Sequence, residues 1–293
     1  MRLVSLCAVV LFVVAGCGSS TSQEGDTTPP PPEPVAPPPP EPAAPPAPTN
    51  VEVSVRVIHA AATAATKSIS PTYATGGATP GALGTDLAFG AATGYTSATL
   101  PPGTTGIGLS VVVEGFDPLS FGGNITAGEP HTAVVFSDPA GAMRLSADVL
   151  RDAAQAPDAG KTRVRFFHAV LGWDAVDVCA PGENARAAGT PVFANAAYGR
   201  SPMSQSPDRY IDMPAGLTRL QVRQASADAP CSGRAVGAVD VAAPEGGTLE
   251  GQNVTLVAVG RATGRPAVAR ALLLCLDSPA AAPSCTSLPM RAR

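Results

Sequence analysis

Apolar and polar residues alternate along most of the chain beyond residue 50. Val53, Val55 and Val57 share one side of a first run, with Glu52, Ser54 and Arg56 between them; Ile107, Leu109 and Val111 repeat the pattern, as do Leu220 and Val222. A period of two over runs this short sets one face of a strand against a core. The runs are punctuated by PPG at 101–103, PAG at 214–216 and the glycine-rich stretch 75–86, all turn signals. The pattern predicts an all-β chain of antiparallel β-sandwiches, Ig-like or transthyretin-like in type.

The pattern also occurs twice. VSVRVIHAAA (53–62) is echoed by TRVRFFHAVL (162–171), which sets Arg56 against Arg165 and His59 against His168 at a spacing of 109 residues. LAFG (87–90) and AAYG (196–199) keep that spacing, TLPPGTTGIGLSV (99–111) and DMPAGLTRLQVRQ (212–224) widen it to 113, and HTAVVFS (131–137) and NVTLVAV (253–259) to 122. Order is kept while spacing grows, which is what insertions into the loops of a second copy produce. The reading is two homologous domains, 51–151 and 161–276, joined by the linker AAQAPDAGK (153–161) and followed by a tail, 277–293.

VRVIHA, TLPPG, KTRVRFFHA, AVDV (175–178), VFANAAYG (192–199), MPAGL and VTLVAVG together resemble the tandem bacterial extracytoplasmic domain of unknown function 4397. The resemblance covers roughly 51–275 and is clearest in the second copy. The first copy departs from it after His59, where ATAATKSISPTYATGG stands in place of the aspartate-bearing AVDV strand. What the resemblance implies is secreted or surface β-sandwiches, without an activity to carry over.

The first fifty residues follow other rules. Arg2 precedes an apolar run, 3–15, too short to span a bilayer, and VAGC (14–17) resembles a lipobox. The expectation is a signal peptide over 1–16, acylation of Cys17, and a disordered proline-rich linker over 17–50; the alternative is a plain secretory signal with a chance cysteine. PPPPEPVAPPPPEPAAPPAP (29–48) reads as a polyproline II stalk, since proline fixes φ and supplies no donor, and at ~3.1 Å per residue it reaches about 60 Å. Gly18 after the lipid cysteine, in place of aspartate, points to the outer membrane of the cell envelope.

Composition adds constraints. The 293 residues are 45% hydrophobic yet only 4% aromatic, so alanine and valine must do most of the packing. A net charge of −4 without a basic block argues against nucleic acid as a partner. With Cys7 in the signal and Cys17 taking lipid, four cysteines remain in an oxidising compartment; the favoured pairings are Cys179 with Cys231 and Cys275 with Cys285. A metal site is the alternative, but no C-x-x-C spacing supports one, and no cofactor is expected.

His59 and His168 are candidate binding residues by their equivalence, with a structural tie at a strand end as the alternative. Trp173, with Asp174 and Asp177 nearby, fits either a sugar or cation site or a core contact. No Gly-x-Ser-x-Gly elbow is present, and 75–86 has neither the P-loop nor the dinucleotide spacing. The function expected is therefore a non-enzymatic lipoprotein, anchored in the membrane through its N-terminal lipid, that binds an envelope polysaccharide or surface protein. An envelope hydrolase working from one domain is the alternative.

Overall fold

The computed structural model describes residues 49–74, 80–182, 189–202, 208–216, 219–241, 248–264, 267–278 and 285–291. The signal segment, Cys17 and the proline tract lie outside the described residues. From Ala47 to Arg293 the chain forms one compact unit, and its described residues are strands and turns with a single short 3-10 turn, Ala62–Ala64.

The first half is a sandwich of two sheets. One holds β1 (Val51–His59), β4 (Thr96–Leu100), β7 (Pro130–Ser137) and β8 (Leu145–Arg151) in the order β4-β1-β7-β8. The other holds β2 (Ser70–Ala74), β3 (Gly81–Ala82), β5 (Gly106–Val112) and β6 (Leu119–Asn124) in the order β3-β2-β5-β6. The second half repeats this order. Its sheets are β12-β9-β15-β16-β17, built from β9 (Lys161–Leu171), β12 (Ile211–Pro214), β15 (Asn253–Arg261), β16 (Ala271–Leu276) and β17 (Cys285–Pro289), and β11-β10-β13-β14, built from β10 (Ala175–Ala180), β11 (Thr190–Ala197), β13 (Arg219–Gln224) and β14 (Ala235–Asp240). The tandem β-sandwich is thus as the alternation predicts, with one addition: β1 pairs in parallel with β7, and β9 with β15.

Register settles the equivalences. Ser54 lies opposite Pro130 and Arg56 opposite Thr132; Arg163 lies opposite Asn253 and Arg165 opposite Thr255. The spacing of the β7 and β15 segments is therefore 123, one more than their apolar residues suggest, and His131 corresponds to Val254. The first copy also has its second strand: β2 pairs Thr72 with Ser110 on β5, where β10 pairs Asp177 with Arg223 on β13.

Each half has its own core. Val53, Val55 and Val57 pack with Leu100, Ile107 and Leu109 in the first, and Val164 and Phe166 with Leu220, Val222 and Leu256 in the second. A third cluster joins the halves, drawn from Ile58, Val134 and Phe136 on one side and Phe167, Val257 and Leu273 on the other. The sheets that meet there are covered on both faces, which is why β7 and β15 read as continuous apolar runs instead of alternating ones. Both disulfides pair as the sequence suggests, Cys179 with Cys231 and Cys275 with Cys285, and both lie within the second half. There β17 adds to the β16 edge, and Arg291 beyond it bridges to Ala238 on β14 in the facing sheet.

Charged residues cross the junction between the halves in a reciprocal pattern. Arg56 donates through Nε to Thr132 (2.8 Å), through one terminal nitrogen to the Leu276 carbonyl (2.6 Å), and pairs through the other with the Asp277 carboxylate. Arg165 donates to Thr255 (2.8 Å), to the Arg151 carbonyl (2.7 Å) and to Asp152. Each arginine thus ion-pairs with the aspartate of the opposite half. Tyr95 donates to Asp152 (2.6 Å) and Tyr210 to Asp277 (2.5 Å), and their rings lie 4.9 and 4.7 Å from the guanidinium carbons of Arg56 and Arg165. Thr132 and Thr255 complete the set by donating to Asp152 and Asp277.

All four charges are buried, so each needs its partner to remain ionised. Burial works against the Arg56 and Arg165 charges, but the aspartates and tyrosines around them hold both above the ordinary arginine range. Burial likewise opposes the Asp152 carboxylate, and the two arginines overcome it, leaving that group below its usual range. Tyr95 and Tyr210 are pushed up, mainly by burial, and stay protonated donors.

Candidate functional site

His59 and His168 hold equivalent positions in β1 and β9. Both are fully buried, and burial lowers each pKa to about 4. His59 Nδ1 accepts from the Ala61 N–H (3.3 Å) while Nε2 faces the Lys67 carbonyl (3.3 Å). His168 Nδ1 accepts from the Val170 N–H (3.3 Å), and its Nε2 is turned toward the Trp173 backbone without closing a hydrogen bond. Each ring meets an aromatic edge-on, Phe89 at 5.7 Å and Tyr198 at 5.6 Å. Both are neutral imidazoles; His59 ties the end of β1 to the loop after it, whereas the one hydrogen bond of His168 stays within β9.

Asp177 is also buried. One oxygen accepts from the Asn195 N–H (2.7 Å) and the other from the Cys231 N–H (2.8 Å), so it clasps β11 and the disulfide-bearing loop to β10. Asn195 and Cys231 both hold left-handed backbone, φ +51° and +64°, and the carboxylate anchors the N–H of each. The structure thus separates Asp177 and His168 from the solvent-facing surface near Trp173.

That surface is a groove. Between β9 and β10 the chain leaves one sheet for the other through a turn closed by Trp173 N–H to the Val170 carbonyl (3.3 Å), with Gly172 at φ +91°. The turn delivers Trp173 half-buried against the second core, with the Arg270 guanidinium 5.2 Å from its ring centre. Asp174 and Ala175 are fixed next to it, since their carbonyls accept from Tyr198 (3.0 Å) and Ala225 (3.1 Å). With Asn195 from β11, Gln224 at the end of β13 and 225–227 beyond it, these residues line an open groove of about 680 Å³. The side chains of Asp174, Asn195 and Gln224 take no part in the hydrogen bonds among the described residues. They leave a carboxylate and two amides available beside an indole.

These are groups of the kind binding sites use, an indole with a few polar groups around it. Sequence reasoning identified Trp173 and missed Asn195 and Gln224. Asn195 was findable, because a residue type that tolerates left-handed backbone stands there and its equivalent 109 residues earlier, Asp86, has φ +50°. Gln224 reaches the groove only through the pairing of β13 with β10. Among the described residues no three His, Cys, Asp or Glu side chains gather as a metal site would require.

Residues 53–179 match the model of the family described as "Domain of unknown function (DUF4397)", so the chain carries a DUF4397-like domain. The match runs from β1 through the first half and ends at Cys179, within β10. No curated protein matches the chain.

Proposed function

We propose that this chain, built around a DUF4397-like domain, is a non-enzymatic binding module of the cell envelope whose second half takes sugar rings of an envelope polysaccharide against Trp173. The observation that carries the reading is the groove: one indole, one carboxylate and two amides converging on a solvent-open concavity. Pyranose rings present apolar C–H faces and equatorial hydroxyls, which these groups complement as stacking surface and hydrogen-bond partners. The two histidines that hydrolysis would call on hold backbone groups in the interior, which favours binding over bond cleavage. Acylation of Cys17 and the proline tract would carry the module at a distance from the outer membrane, where a polymer partner lies within reach.

The test is a pull-down of the soluble part, 49–293, on purified peptidoglycan, lipopolysaccharide and exopolysaccharide, beside Trp173→Ala. We expect saturable binding to one fraction that Trp173→Ala weakens at least tenfold while the variant keeps the β spectrum of the wild type. Binding unaffected by that substitution would remove the groove from the function, and binding to none of the three would remove the polysaccharide. Labelled fatty acid entering the wild-type chain but not Cys17→Ser tests the anchor separately.

A further inference from the structure

The junction between the halves has the form of a dimer interface. In a two-fold interface the same surface serves both partners, so that where residue i meets j, residue j also meets i. Here Arg56 of the first half meets Asp277 of the second, and Arg165 of the second meets Asp152 of the first. By strand register Arg56 corresponds to Arg165 and Asp152 to Asp277. The apolar part of the junction obeys the same rule, since Ile58 and Phe167, Ala60 and Ala169, and Val134 and Val257 are equivalent positions and all lie in the joining cluster.

A second observation points the same way. Neither aspartate pairs directly with the arginine of its own half: each binds its own half's tyrosine and threonine, and the arginine's Nε reaches that same threonine, which stands between the two charges. Each half thus holds its own arginine and aspartate apart across a threonine, and both find their direct counter-ions only in the other half. Two ordinary domains on a string would each satisfy their own buried charges, because a buried charge without its counter-ion is costly.

We infer that this face is a non-covalent self-pairing surface, and that the chain is two protomers of one kind joined end to end. The partner that fits the face is a second half bearing the same Arg, Thr, Tyr and Asp set. The connection over 152–160 then serves to hold the partner at high local concentration, and the attachment itself resides in the interface.

The experiment uses the full chain with a protease recognition sequence inserted between Gln155 and Ala156, both exposed. After folding, the protein is cut. Neither disulfide crosses the cut, so any association that survives is non-covalent. We expect the two pieces to co-elute at the mass of the uncut protein, and the unfolding midpoint of the cut protein to rise with concentration while that of the uncut protein stays fixed. Arg165→Gln in the same cut protein should weaken association about a hundredfold or more. Pieces that elute apart while each keeps its β spectrum would overturn the inference, as would a cut protein whose midpoint ignores concentration. Association untouched by Arg165→Gln would remove the crossed charges as its basis.

Discussion

The two halves share a frame and differ at one corner. After β1 the first half turns through Ala62–Ala64, and Ala62 and Ala64 are buried, with Thr63 tied to Ser137 on β7 (2.9 Å). After β9 the second half places Trp173 at the position corresponding to Ala64, facing the groove. The second half alone also holds both disulfides and the extra strand β17. What the copies keep in common is the arginine, tyrosine, threonine and aspartate of the junction, the buried histidine, and the left-handed residue at 86 and 195. Shared residues maintain the frame, and the unshared corner is where binding can be placed. Two identical sites would have required the same corner twice.

The strongest way to break this comparison is through the crossed charges. Arg56→Met and Arg165→Met each leave a buried aspartate without its partner, and each should cost about 3–5 kcal/mol in urea unfolding. The two values should be similar, because the two sites are the same site seen from opposite halves; a large effect at one and none at the other would mean that one half bears the frame alone.

Next in size is the pH dependence set by the histidines. Both are lowered to about 4 in the fold against an ordinary 6.5. Between those values the unfolded chain binds more protons than the folded one, so stability rises with pH through the window, is complete above 6.5 and is lost toward 4. The contribution is at most about 3 kcal/mol per histidine. His59→Gln and His168→Gln should each flatten the slope of stability against pH over that interval, and the double variant should leave only a smaller slope from His131, which burial also lowers. Asp152, held below its usual range, adds a loss at lower pH still.

The left-handed positions should contribute least. Asp86→Ala and Asn195→Ala put a β-carbon residue less suited to left-handed backbone at φ +50° and +51°, and each should cost about 1 kcal/mol by thermal unfolding. Only Asn195→Ala should also weaken polysaccharide binding, since only that residue lines the groove.

Much of the frame could be read from the chain. Alternation in β1, β5 and β13 gave the strands, the spacing of 109 between Arg56 and Arg165 gave the repeat, and the four remaining cysteines pair as favoured. The junction could not be read, although both arginines stood out as equivalent. Arg56 and Asp277 are 221 residues apart, and no local period links a strand residue to the aspartate that ends another strand in the opposite half. The parallel pairing of β1 with β7 was hidden for a different reason: β7 is buried along nearly its whole length, so its run does not show which residues face which side. At the groove the indole was visible as the lone tryptophan, while Gln224 depended on which strand lay beside β10.

The place of β1 at the middle of its sheet has a mechanical consequence. The chain enters the compact unit directly through this strand, which is held along one side by five register pairs to β4 and along the other by six to β7. Tension applied from the N-terminal side pulls along the strand axis, so those bonds are loaded together in shear and do not open one after another like a zipper. Under tension between the N-terminal side and the second half, the force path runs from β1 through Arg56 into Asp277 and on to the second half. The junction that joins the halves would then be the coupling that carries the load from one to the other.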